Sequence, residues 1–437
     1  MKDLCESCSN FYQCNFRMKQ EEEGKLVDNF CARHLNVTKL PKKSLPDVYN
    51  VFLKWFPNLD TTRIDTRLAW YLANQFNSGT PLWLWELSRS GFLKTTLTNS
   101  LLLCPKILGI DQLTAKSFAS GKEIKGKPAK DLGMRLTKRN RCILVNETAS
   151  LKAMQQGDQR ETFAIIKKLH DGAIKRDTGS GVSKYYPDCN TSIWFNSTPD
   201  FRNETIIHQE IGTCYLVDAI PLDMKNDTVD SENAIKNRQE QQKIKKETQS
   251  VVKCFLAHNG LKQIELSDKE LQFIIKEANR LKFLRTTATY DRYNELKYIP
   301  QPEMPARLSM QLAKLYQSLL SLDENYDKKR AEKIIRRIID GSGDPVLVEI
   351  FDFLDSLRSA DSIVGINTPF TISQVIVSKG FGTGTIKRRL ELLVGLKILR
   401  KERKPSGSPG RPGFEYVLRD DIDNETWQSI FRHPIVR

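Results

Sequence analysis

The stretch Trp83-Leu-Trp-Glu-Leu-Ser-Arg-Ser-Gly-Phe-Leu-Lys-Thr-Thr-Leu97 decides the fold. It begins as a strand-sized apolar run, turns at Ser88–Gly91, and then opens a helix with Lys94 and Thr95. Strand, turn and Lys-Thr helix start make the layout of a loop whose backbone N–H groups cradle phosphates. The usual pattern is G-x-x-x-x-G-K-[ST]. Here Lys94 and Thr95 match the final pair, Ser88 replaces the first glycine and Leu93 the second, and Gly91 fills an internal position beside Ser90. In such a loop Lys94 reaches the outer phosphates and the Thr95 hydroxyl holds magnesium. A Cβ at each missing glycine restricts close backbone approach.

Two later strands extend the pattern. Arg141-Cys-Ile-Leu-Val-Asn-Glu147 is a buried-type strand ending in polar groups. A phosphate-loop ATPase ends this strand in an acid pair, one orienting magnesium and one polarising the attacking water. Glu147 fits the second role. Asn146 stands where Asp is usual, and it can hold a magnesium-bound water without supplying charge. Further on, Ser192-Ile-Trp-Phe-Asn-Ser-Thr-Pro199 places Asn196 as a sensor of the γ-phosphate. Between the two lies Asp171–Tyr186, two alternating runs flanking Asp177-Thr-Gly-Ser-Gly181. This spacing predicts a hairpin with Lys175, Arg176 and Lys184 near its tip, either a phosphate-contacting element or a solvated loop.

From about Leu72 to Arg307 the sequence resembles AAA+ ATPases of phages and mobile elements, helicases or primase-helicases akin to superfamily 3 and minichromosome-maintenance helicases. The residues carrying the resemblance are Leu72-Ala-Asn-Gln75, Thr80-Pro-Leu-Trp-Leu84, Ile110-Asp-Gln-Leu-Thr-Ala115, Phe118-Ala-Ser-Gly121, His170-Asp-Gly172, Ser197-Thr-Pro199, Glu210-Ile-Gly212 and Glu303-Met-Pro-Ala-Arg-Leu308. The resemblance implies a hexameric, ATP-driven motor with the hairpin in its pore and Arg307 as a lid arginine at the γ-phosphate. One departure concerns the arginine that often follows the Glu-x-Gly element. Here the chain reads Gly212-Thr-Cys-Tyr-Leu216, and Arg202 is the nearest substitute.

The C-terminal stretch has the pattern of a winged helix-turn-helix. Helical periodicity covers Val346–Leu357, Thr371–Val377 and Thr385–Leu393, and strand patterns cover Leu396–Glu402 and Phe414–Leu418. Between Lys379 and Gly413, ten basic residues face only Glu391 and Glu402, a local charge of +8. Lys387, Arg388 and Arg389 are candidate groove or phosphate contacts, with Arg403, Lys404 and Arg411 on the wing. A winged helix used for protein contact is the competing reading. The whole chain carries 68 Lys and Arg against 53 Asp and Glu, net +15, so about half the excess lies in this one segment.

Four of the nine cysteines fall within the first 31 residues. Cys5 and Cys8 have the spacing that brings two thiolates to one tetrahedral ion, and Cys14 and Cys31 complete a zinc shell, with His34 as a substitute. An iron–sulfur cluster or a reduced, metal-free tail would use the same residues. An odd cysteine count without an apolar leader argues against a disulfide framework and for a cytoplasmic protein, in the host cytoplasm if viral. No apolar run is long enough to span a bilayer, so no membrane partner is expected.

The expected fold is therefore an α/β P-loop NTPase (AAA+-like) core with a helical lid, a C-terminal winged helix-turn-helix and a small N-terminal Cys-rich module. The modules are residues 1–45 (Cys-rich zinc module), 46–225 (ATPase core), 226–342 (lid and connector, helical throughout 266–340) and 343–437 (winged helix). The expected function is an ATP- and Mg²⁺-dependent DNA motor, a replicative helicase of a virus, plasmid or integrated element. It would work as a homo-oligomeric ring with single-stranded DNA in its pore and duplex at the winged helix. The alternatives are a nucleotide-gated DNA-binding regulator or initiator that does not translocate, and an assembly scaffold with an inactive nucleotide site.

Overall fold

A computed structural model describes residues 40–422 and Thr426, apart from short loops and the stretches 201–213, 361–368, 376–380 and 404–413. The chain divides into two compact units, residues 1–265 with 313–334, and residues 266–312 with 335–437.

The first unit begins with helices α1 (Leu45–Trp55) and α2 (Thr62–Ala73), separated by a turn that contains Pro57, a residue that cannot continue a helix. Ser44 caps α1 in a reciprocal capping box with Asp47, which satisfies two otherwise orphaned donors. Then come β1 (Leu84–Leu87), α3 (Lys94–Asn99), β2 (Ile107–Ile110), α4 (Ala115–Phe118), the short pair β3 (Glu123–Ile124) and β4 (Lys127–Pro128), and α5 (Leu132–Leu136). They are followed by β5 (Arg141–Val145), α6 (Ala149–Lys152), α7 (Gln156–His170), the hairpin β6 (Ile174–Asp177) and β7 (Ser183–Tyr186), β8 (Thr191–Ser197) and β9 (Leu216–Ala219). Helices α8 (Asp227–Lys236) and α9 (Gln241–His258) follow, so the charged stretch after residue 223 is helical. Helix α9 buries Ile244, Val251, Val252 and Phe255 and packs on α1.

Five strands form one parallel sheet in the order β2-β5-β8-β1-β9. Residues of β1, β5 and β8 are buried on both faces, as expected for a parallel sheet covered by helices on each side. Side chains alternate along each strand. Trp83, Trp85, Leu87, Ile143, Val145, Ile193 and Phe195 enter one core with Phe118 of α4 and Phe163, Ile166 and Leu169 of α7. The intervening residues face the other way, where Trp194 meets Trp70 of α2 edge-on at 5.6 Å. Each of Trp70, Trp83 and Trp85 is fully buried with its indole N–H satisfied, by Leu82 O, Thr191 O and Ser197 Oγ.

Asp65 of α2 is a second structural centre of this unit. It is wholly buried and accepts hydrogen bonds from the hydroxyls of Tyr49 (2.5 Å) and Tyr326 (2.7 Å) and from Arg330 Nε (2.7 Å). Burial pushes its carboxyl above the usual range against the pull of Arg330 and the two hydroxyls. Two segments far apart in sequence, one holding Tyr49 and the other Tyr326 and Arg330, thus share one carboxylate.

The second unit contains α10 (Asp268–Leu284), a short hairpin of β10 (Thr289–Tyr290) and β11 (Leu296–Tyr298), and the first part of α11 (Ala306–Leu320). It continues with the latter part of α12 (Lys328–Ser342), α13 (Pro345–Ala360), a 3₁₀ turn at Ile372–Gln374, α14 (Thr383–Gly395), and the antiparallel pair β12 (Leu399–Arg403) and β13 (Phe414–Leu418). The hairpin corrects the expectation of unbroken helix over 266–340. Thr286–Tyr290 is rich in β-branched and aromatic residues, which favour an extended backbone. The helix expected over Thr371–Val377 is a 3₁₀ turn at 372–374, closed by a Thr371–Gln374 capping box, and residues 376–380 lie outside the described set. Phe370 bridges to Tyr416 of β13 and stacks edge-on with Phe353 of α13 at 5.5 Å.

Replacing Asp65 by Ala leaves two hydroxyls and one guanidinium without their acceptor. We expect a loss of about 3 kcal/mol in urea unfolding, against about 1 kcal/mol for Tyr49→Phe.

Candidate phosphate-loop site

The loop 88–93 leaves the C-terminal end of β1, between β8 and β9 in the sheet. Its backbone turns through two left-handed residues, Gly91 (φ 78°) and Leu93 (φ 59°). Leu93 sits where the ordinary pattern has its second glycine, and it adopts the conformation that glycine would adopt there. For an L-residue this costs about 1–2 kcal/mol. Lys94 Nζ folds back over the loop and donates to the carbonyls of Ser88 (2.6 Å) and Arg89 (2.8 Å). Its half-burial lowers the ammonium pKa, while Glu86 pulls the other way. Thr95 lies exposed at the helix start, and Ser90 and Gly91 are exposed on the loop.

Beneath the loop lies a cluster the sequence reading missed. Glu86, in the middle of β1, is completely buried and forms ion pairs with Arg63 and Arg67 of α2, themselves buried. Burial alone would raise the Glu86 carboxyl. The Arg67 and Arg63 guanidiniums more than offset it and hold the group below its ordinary range. Arg67 also donates to the Arg63 carbonyl (2.8 Å), and its guanidinium lies 4.8 Å over the Trp194 ring. Arg63 continues upward: the nitrogen that meets Glu86 at 2.6 Å also donates to the Phe92 carbonyl at 2.7 Å. The Phe92 ring stands 4.7 Å from the Arg63 guanidinium and 5.0 Å from that of Arg89. A hydrogen bond from a charged donor is worth about 1.5–3 kcal/mol, enough to offset the left-handed Leu93. The signal was present in the sequence: two arginines four apart on one helix face, and one acid inside the apolar run Pro81–Leu87.

The neighbouring strand ends are tied to α3 by amides. Asn146, just past β5, donates to Asn99 Oδ1 (2.9 Å). Asn196 on β8 is buried; it donates to Thr98 Oγ1 (3.0 Å) and accepts from Trp194 Nε1 (2.9 Å). Glu147 is exposed, and its carboxylate accepts from the Ala149 N–H (3.0 Å). Two buried oxygens here have no hydrogen-bond partner among the described residues, Ser88 Oγ and Asn146 Oδ1. An unsatisfied amide oxygen at the end of β5 suits a cation-bound water, so the donor set fits a magnesium–nucleotide. Arg89 leaves the loop sideways to pair with Asp227 at the start of α8.

The remaining candidates are dispersed. The hairpin β6–β7 forms as expected, with Lys175 opposite Tyr185 and Arg176 opposite Lys184. Arg176 binds Glu161 (2.9 Å) and the Ala119 carbonyl (2.5 Å), and Lys184 binds Asp131 (2.8 Å), so both anchor the hairpin to the core. Lys175 is exposed, as is Tyr185. Arg307 is exposed on α11 in the second unit. On α14, Lys387 is exposed. Arg388 lies over the Tyr290 ring at 5.9 Å, and Arg389 is committed to Asp344 through two nitrogens (2.6 and 2.9 Å). Arg403 is exposed on β12, and Lys404 and Arg411 lie outside the described residues. So do Cys5, Cys8, Cys14 and Cys31, with His34 and Arg202. The five described cysteines (Cys104, Cys142, Cys189, Cys214, Cys254) are buried and in no disulfide. Among the described residues no group of three or more His, Cys, Asp or Glu is arranged to hold a metal, and no helix is long and apolar enough to cross a membrane.

No family model matches the chain, and no curated protein matches its sequence. Among solved structures, the Orc1 protein of Aeropyrum pernix, determined in complex with DNA, is similar at 12% identity over 89% of this chain and 97% of that one, with a TM-score of 0.23. So loose a superposition leaves the chemistry of the site to be judged from its own residues.

Neutralising Glu86 leaves two buried guanidiniums without an anion. Glu86→Gln is expected to cost about 3 kcal/mol at neutral pH. Because the folded-state pKa is depressed, the contribution of Glu86 is complete above its ordinary value of 4.5 and is lost as pH falls through the folded-state pKa. Stability against pH, followed by urea unfolding, should therefore show a shallower acid limb in Glu86→Gln than in the parent.

Proposed function

We propose that the chain is an AAA+-like ATP-binding protein acting on DNA, with a motor of the helicase type as the leading reading. The observation that carries the ATP site is the loop itself. A left-handed Gly91 and Leu93, with Lys94 folded onto the loop carbonyls at the C-terminal end of a central parallel strand, make a phosphate cradle despite the missing glycines. Bound magnesium–ATP would supply a phosphoanhydride to cleave and a cation to neutralise its charge. Lys94 would exchange its two carbonyl acceptors for phosphate oxygens, the Thr95 hydroxyl would hold the cation, and Asn146 would hold a water bound to it. Glu147 is the exposed carboxylate suited to orient water. Asn196 is the γ-phosphate sensor by position, and its present partner Thr98 lets it report on the loop helix. Arg307 remains the lid arginine of this proposal, with a ring of identical subunits as its setting.

The DNA-binding assignment rests on charge and on the elements of residues 343–437. Helix α13, the 3₁₀ turn, α14 and the β12–β13 pair follow one another in the order of a winged helix. Of the basic residues there, Lys387 and Arg403 are exposed on α14 and β12, whereas Arg389 serves the fold. Lys175 and Tyr185 are the corresponding exposed pair on the β6–β7 hairpin, a cation beside an aromatic as single strands prefer.

One observation favours the second reading, a nucleotide-gated switch or replication initiator. Asn146 brings no carboxylate to the cation, which weakens hydrolysis more than binding. Lys94→Ala decides whether ATP is used: DNA-stimulated hydrolysis should fall roughly a hundredfold or more. If the parent binds ATP and duplex tightly yet shows no DNA-stimulated turnover, the motor reading fails and the switch stands. For the DNA surface, Lys387→Ala and Arg403→Ala should each lower the slope of log affinity against log salt by about 0.9 on duplex. Arg389→Ala should instead lower thermal stability.

A further inference from the structure

The phosphate loop lacks both glycines that normally give it its shape, yet its backbone is in the shape those glycines allow. What holds it there lies outside the loop. Phe92 C=O and Leu93 N–H are the two ends of one planar peptide and point in opposite directions. Arg63 grips the carbonyl end at 2.7 Å. The same nitrogen meets the carboxylate of Glu86 at 2.6 Å, and Arg67 meets that carboxylate from the other side. Arg63 therefore has little freedom, being 2% exposed and held by strand β1 beneath the loop. The Phe92 ring lies 4.7 Å from the guanidinium of Arg63 and 5.0 Å from that of Arg89. Immediately after this peptide comes Leu93 at φ 59°, and then Lys94.

We propose that Arg63 is a positioning residue for nucleotide binding. It fixes the Phe92–Leu93 peptide so that the loop N–H groups face the phosphates, replacing from helix α2 the conformational role that glycine plays within an ordinary loop. This rests on the reading that the loop binds ATP. Arg63 does not touch the nucleotide. It acts through a backbone carbonyl, and its effect is coupled to the residue at position 93. Where glycine stands at 93, the left-handed conformation needs no outside support, and Arg63 becomes dispensable for binding though not for stability.

The test is a double-mutant cycle on the full chain, reading ATP dissociation constants by titration calorimetry and the unfolding midpoint of each sample. Arg63→Lys keeps a cation beside Glu86 on a stem one bond shorter, which draws the donor back from the Phe92 carbonyl, and should weaken ATP binding about tenfold. Leu93→Gly alone should bind ATP at least as tightly as the parent. With Leu93→Gly present, Arg63→Lys should cost less than about threefold, although the midpoint falls in both backgrounds. Equal losses in both backgrounds, or parental affinity in Arg63→Lys, would overturn the proposal. Phe92→Ala is the second variant, usable even if Arg63→Lys does not fold. It keeps the carbonyl and should stay within about threefold of the parent; a tenfold loss would move the role to the ring and sink the assignment to Arg63. If the parent itself binds no ATP, the nucleotide reading fails, an outcome distinct from a parent that binds and a variant that is unaffected.

Discussion

Two arginines and one glutamate, all out of contact with water, set the terms for the first unit. Glu86 could not sit inside β1 uncompensated, since an unpaired carboxylate in a core is too costly to remain ionised. Arg63 and Arg67 answer it from one face of α2, and so fix where that helix lies on the sheet. A hydrophobic trio of the same volume would pack as well or better, because burying charges costs about what their attraction returns. What the charged trio adds is direction. Guanidinium and carboxylate meet in few geometries, and the N–H groups and ring face left over can be aimed. Arg67 aims at the Trp194 ring and Arg63 at the Phe92 carbonyl, so the sheet, the helix and the loop share one set of bonds.

The strand ends around the loop follow a related logic with neutral groups. Asn146 and Asn196 each hold α3, through Asn99 and Thr98. Thr148 and Ser197 close the gap behind them, bonded to each other, with Ser197 also accepting from the Trp85 indole. The loop helix is therefore fixed from below by amides and hydroxyls, and its preceding turn by a guanidinium. Lys94, Thr95 and Glu147 are left at least partly accessible beside the turn.

Much of the architecture was legible because it obeys local rules. The split of α1 from α2 at a proline, the apolar strands ending in polar residues, and the hairpin around a Gly-Ser-Gly centre all follow from periodicity and turn chemistry. Other features depend on partners far away in sequence. Arg176, Lys184 and Arg389 looked like a free basic surface, yet Glu161, Asp131 and Asp344 claim them. A charge count cannot register a carboxylate 15, 53 or 45 residues distant. The β10–β11 hairpin was hidden by the helices on either side of it. Leu93 read as a defect in a motif, because a sequence pattern shows which residue is absent but not what replaces its function.

The indole of Trp194 has a further consequence. It is buried against Trp70 and Arg67, and its N–H is bonded to the amide that also holds Thr98 of the loop helix. A cation above an indole and a hydrogen bond at its nitrogen both govern how the ring emits light. Any event that shifts the loop helix must disturb this chromophore, so the chain carries its own optical gauge of the state of the loop, with no label attached.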